Sequence, residues 1–101
     1  MENAIVTRPT VKEFSEWHIA RRGTQKTFAD AVAPAIKLAD GTEISVQASE
    51  IHYSTPRETM IGNDEFYTAY EVYDFENEDE PRGWVPADEV IDMIIARGGP
   101  V

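Results

Sequence analysis

The chain predicts an α+β fold: an N-terminal helix, an antiparallel sheet of three to four strands that includes a hairpin, and a C-terminal helix packed on one face. Three stretches carry that expectation. In "AIKLADGTEISVQAS", Ile36 and Leu38 alternate, Asp40-Gly41 supplies a turn tolerant of positive φ, and Ile44, Val46 and Ala48 alternate again. "DEFYTAYEVYDF", Asp64 to Phe75, reads as a longer strand with aromatics on both faces. "PADEVIDMIIARGG" opens with Pro86, places Asp88 and Glu89 in the first turn, and closes on Gly98-Gly99.

The first helix is expected from Thr10, because "TVKE" sets Thr10 as N-cap and Glu13 three residues on, a capping box. Val11, Phe14, Trp17 and Ile19 follow the helical stripe only in part, and Gly23 is a natural stop after Arg21 and Arg22, a basic pair placed to complement the helix dipole. "TQKTFADAVAP", Thr24 to Pro34, predicts a helical turn or an irregular connection. On period two, Phe66, Thr68, Tyr70 and Val72 share one face of the long strand, and Tyr67, Ala69, Glu71 and Tyr73 the other. "ENEDEPRG" reads as a solvated acidic turn, and "GWVP" as a short fourth strand. The final helix and the first are expected to share the covered face. Its set Val90, Ile91, Met93, Ile94, Ile95 and Ala96 is wide enough that a homodimer through this helix is a further expectation.

A chain of 101 residues suits a single domain over 1–101, and 42% apolar with 28% charged residues is ordinary globular usage. Cysteine is absent, so disulfides, thiol nucleophiles and thiolate-ligated zinc are excluded. "MENAIVTRPT" lacks a signal-peptide pattern, and no apolar run nears the roughly 20 residues that span a bilayer, so a cytoplasmic protein without membrane contact is expected.

The formal net charge is −10, unevenly spread: Met1 to Lys37 holds six basic and four acidic residues, Leu38 to Val101 three basic and fifteen acidic. Such a field repels phosphate, which argues against direct nucleic-acid binding, and it attracts the basic grooves of proteins that handle nucleic acids. The plain alternative is that the acid confers solubility.

Catalytic and cofactor patterns are sparse. His52, Ser54 and Glu58 are the residue types of a nucleophile, base and orienter, but all three lie in one short loop, "EIHYSTPRE", without a G-x-S-x-G elbow. No enzyme activity and no catalytic residue are therefore expected. Neither H-x-x-x-H nor a calcium-loop pattern occurs, and no glycine-rich phosphate cradle is present, so no metal and no cofactor are expected. Arg57, after Pro56, is expected to clamp Glu50 or Glu71 and hold the loop to the sheet.

"ADGTEISVQASEIHYSTPRE", "YTAYEVYDF" and "GWVPADEVIDMIIARGG" together resemble a family of small uncharacterised phage and prophage proteins, with an S-V-Q-A-S strand, an H-Y-x-x-P-R loop and a W-V-P helix ending in Gly-Gly. The resemblance covers about the last two thirds of the chain. It implies a phage setting, in which small acidic proteins include anti-CRISPR and anti-restriction inhibitors acting in the host cytoplasm. On that basis the expected function is inhibition of a host defence protein or ribonucleoprotein complex through its basic surface. The expected contact residues are Tyr67, Glu71, Tyr73, Asp74, Glu76, Glu78, Asp79 and Glu80. The alternative is a structural or accessory phage protein that self-associates.

Overall fold

The computed structural model describes residues 8–23, 32–60 and 66–101. In chain order the elements are α1 (Val11–Arg22), β1 (Ile36–Lys37), β2 (Glu43–Gln47), β3 (Ala69–Asp74), β4 (Arg82–Pro86) and α2 (Ala87–Ala96). The strands form one antiparallel sheet in the order β1-β2-β3-β4, so every connection joins neighbours. Both helices lie on one face, over a core that includes Phe14, Ile44, Val46, Tyr70, Val72 and Val90. This is the α+β arrangement the sequence predicts.

Local chemistry sets the boundaries. Thr10 accepts from the Glu13 amide at 3.1 Å while the Glu13 carboxylate accepts from the Thr10 amide at 2.8 Å, so the capping box forms as read. At the hairpin, Gly41 takes φ +92°, a conformation a Cβ would penalise, and the Asp40 carboxylate accepts from the Thr42 amide at 2.9 Å. α2 ends at Gly98 and Gly99, both at positive φ, whose amides return to Ile95 and Ile94. Beyond it the chain lies along the outer edge of β1: Leu38 bridges Pro100, and the Val101 amide donates to the Lys37 carbonyl.

The long strand is shorter than predicted. Asp64 and Glu65 fall outside the described residues, as do positions 24–31 of the ambiguous connection, and the ladder begins only at Ala69. Tyr67 is the reason. Its side chain is fully buried, its phenol donates to the Glu58 carbonyl at 2.5 Å, and it accepts from the Met60 amide and from Arg22 at 2.8 Å each. One donor and two acceptor sites are thereby filled. The Tyr67 amide donates to Ser15 of α1, so the backbone turns inward instead of continuing the pleat.

Arg22 also departs from expectation. It is placed by the sequence to complement a helix dipole, yet it is 4% exposed and donates to the carbonyls of Ala48 and Met60 as well as to Tyr67. Ser15, His18 and Arg22, spaced i, i+3, i+7, form the polar half of the buried face of α1, beside Phe14 and Ile19. That is why the apolar stripe reads so poorly. His18 packs edge-on to Tyr67 and Tyr70, and burial, then the Arg22 charge, hold its pKa down to about 3. Burial raises the Tyr70 phenol, with the Ser15 hydroxyl offsetting part of the shift.

Two outcomes follow for stability. Arg22→Met should cost about 3 kcal/mol or more, since two carbonyls and a phenol lose their donor in a dry site; urea unfolding measures it. His18 has a folded pKa below its unfolded value, so its contribution is complete above about pH 6.5 and drains away as pH falls towards 3. Stability should drop by about 2 kcal/mol between pH 7 and pH 5, and His18→Leu should remove most of that slope in urea titrations at the two pH values.

Candidate functional site: the open face of the sheet

The face turned away from the helices carries Ser45 and Gln47 of β2 and Glu71 and Tyr73 of β3, paired across the ladder as Ser45 with Tyr73 and Gln47 with Glu71. With His52 and Phe75 they border a shallow depression of about 240 Å³. Tyr73 and Phe75 meet edge to face at 4.7 Å, and Phe75 is 47% exposed. Burial raises the Glu71 pKa, and the nearby Arg57 charge opposes that rise.

The loop after β2 crosses this face. Thr55 bridges Ala69 of β3, and the peptide into Pro56 is cis. Ser49 accepts from the Ile51 amide at 3.2 Å and shares a hydrogen bond of 2.6 Å with His52 Nδ1. The His52 pKa is lowered by burial, then by Arg22 and Arg57, so the ring is neutral at pH 7. Both serines of the loop are buried, and the Ser54 hydroxyl donates to the Pro56 carbonyl at 3.0 Å. The His-Ser pair is thus a turn anchor, with no nucleophile presented to solvent.

Arg57 makes no carboxylate clamp among the described residues; its guanidinium sits 4.7 Å over the Tyr53 ring. Tyr53 in turn stacks on Trp84 of β4 at 4.7 Å and 23°, and its carbonyl accepts from the Trp84 amide. Gly83 makes the crossing possible, since a Cβ there would lie 2.8 Å from Tyr53 Cβ. The pairing shifts by one residue between Tyr70 and Val72, so Glu71 alone faces both Gly83 and Trp84, a β-bulge.

The predicted contact residues divide. Glu71 and Tyr73 lie on the open face, but Tyr67 does not join them, because its hydroxyl is drawn into the core. Asp74 is 4% exposed and bound by Arg97, with nitrogen-oxygen distances of 2.5 and 3.3 Å. Arg97, opposed by partial burial and helped by Asn77 and the Glu76 amide, holds its pKa down to about 2. Asp74 therefore organises the turn and is unavailable to a partner. Glu78 pairs with Arg82 at 2.5 Å and accepts from the Asp74 amide. Glu76, Asp79 and Glu80 are exposed and make no ion pair among the described residues.

Trp84, Tyr53 and Phe75 are exposed aromatics to which the sequence pattern assigns no role. The signal for Trp84 is its position between Gly83 and Pro86 in a short strand, which marks a bulged edge. Elsewhere, an apolar groove of about 300 Å³ runs between α1 and α2, bordered by Phe14, Trp17, Ile91 and Ile95. Glu13 at its rim is engaged in the N-cap, so nothing polar orients a ligand there. Among the described residues no three potential metal ligands converge, and no helix is long and apolar enough to cross a membrane.

No family model, curated protein or solved structure matches the chain.

Gly83→Ala should push Tyr53 off β4 and lower stability by about 1 to 3 kcal/mol. Thermal unfolding and a red shift of the Trp84 emission check both parts.

Proposed function

We propose that the protein is a non-catalytic binder of a basic protein surface of the kind that handles nucleic acid, and that it acts by occupying that surface in place of phosphate. The observation that carries this reading is the juxtaposition, on the open face and its adjoining turn, of exposed aromatics with uncompensated carboxylates. Phe75 lies 47% exposed beside Tyr73, and Glu76, Asp79 and Glu80 follow directly in the chain with no ion pair among the described residues. Aromatic side chains anchor interfaces in desolvated contact, and acidic groups around them speed encounter with a basic partner and exclude acidic ones. An inhibitor of a host defence complex, anti-CRISPR-like, is the form of this reading favoured by the phage-like strings.

Self-association is the second reading. It has the groove between the helices and the exposed Ile95 in its favour. Against it, the outer side of α2 carries Asp88, Glu89 and Asp92, whose ion pairs with Arg8 and Arg82 a helix-to-helix contact would have to bury or break.

The test is a triple reversal, Glu76→Lys with Asp79→Lys and Glu80→Lys, which spares the structural Asp74 and Glu78. The parent chain should bind basic nucleic-acid-handling proteins from a bacterial lysate, release them to raised salt or competing DNA, and lose about tenfold or more affinity on reversal. Binding that survives the reversal, or that ignores both salt and DNA, sinks the proposal.

A further inference from the structure

The Trp84 side chain is 56% exposed while its backbone holds φ at +53°. A bulky residue in that region is a genuine outlier, retained only where its surroundings fix it. Three contacts do so here: the bulge opposite Glu71, the hydrogen bond its amide donates to the Tyr53 carbonyl, and the Tyr53 ring on one face of the indole. Nothing in the core needs the indole, since the next residue, Val85, is the one β4 buries. The result is a rigid aromatic plane in solvent, already one layer of an ordered stack.

The order of that stack indicates what fits next. Arg57 lies over Tyr53, and Tyr53 lies on Trp84, so the chain has placed a cation on one end of an aromatic pair, and among the described residues no further ring or cation stacks on the half-exposed Trp84. Glu71 lies opposite Trp84 across the bulge. Over the whole chain the net charge is −10, so its long-range field favours a cation and opposes a nucleotide or an acidic peptide.

We propose that the open face of Trp84 receives an arginine side chain of the basic partner, extending the Arg57–Tyr53–Trp84 stack by one guanidinium layer. Arginine is the better occupant than lysine because its planar, weakly hydrated group stacks on an indole, whereas an ammonium keeps its water. This inference rests on the basic-partner reading above and adds to it the residue that discriminates between the two cations.

The experiment uses the full chain with hexa-arginine and hexa-lysine peptides as probes, followed through the indole N–H resonance and by calorimetry at low salt. Wild type should bind hexa-arginine more tightly than hexa-lysine, and Trp84→Ala should abolish that preference, weakening hexa-arginine by about threefold. Trp84→Asn, whose side chain tolerates positive φ, should do the same with the melting temperature preserved, which separates loss of the plane from loss of the fold. An arginine preference that persists in Trp84→Asn overturns the inference while leaving the acidic-surface reading intact. The triple reversal should weaken both peptides alike, and a wild-type chain that binds neither peptide overturns both readings.

Discussion

The guanidinium of Arg22 is the point on which the rest of the molecule depends. It leaves the last turn of α1, enters the core, and joins the Ala48 carbonyl just after β2, the Met60 carbonyl further along the chain, and the phenol of Tyr67 ahead of β3. One side chain thus ties residues 48 and 60 to the entry of the central strand. Burying a cation is unfavourable unless its donors are satisfied, so the geometry of these partners is strongly selected once the helix docks. From that hub the loop is aimed across the sheet, and only because it is so aimed does Tyr53 reach Gly83 and Trp84.

The acid of the chain performs two kinds of work. Asp74 is structural: it takes Arg97 from the end of α2 and collects Asn77 and the Glu76 amide, which closes the β3–β4 turn. Arg82 links Glu78 to Glu89, and Arg8 links Asp88 to Asp92, surface contacts of small individual worth. Glu76, Asp79 and Glu80 lie outside these pairings on the turn itself, next to Phe75.

Much of the fold is legible in the letters because its signals are local. The Thr10 to Glu13 box, the Asp40-Gly41 turn, the period of Ile44 to Ala48 and the twin glycines after Arg97 all act within a few residues, and each element appears where those signals put it. The failures share one cause, which is contact between distant segments. Tyr67 reads as a surface tyrosine by alternation, but a phenol bonded to Glu58, Met60 and Arg22 overrides the pleat. Arg22 reads as a dipole complement, Asp74 as one acid among many, and Arg57 as a clamp, since nothing nearby reveals a partner 23 residues away for Asp74 or an aromatic ring for Arg57. Trp84 goes unassigned for the same reason: its exposure follows from a bulge that only the register with β3 creates.

The last residues of the chain bear on how this protein meets another. Pro100 and Val101 lie along β1, occupying backbone groups at one margin of the sheet. At the opposite margin β4 is five residues long, bulged at Trp84 and ended by Pro86. Among the described residues neither border offers a long straight run of backbone to which a foreign strand can add. What the surface presents beyond those borders is side chains, among them the exposed rings of Tyr53, Phe75 and Trp84.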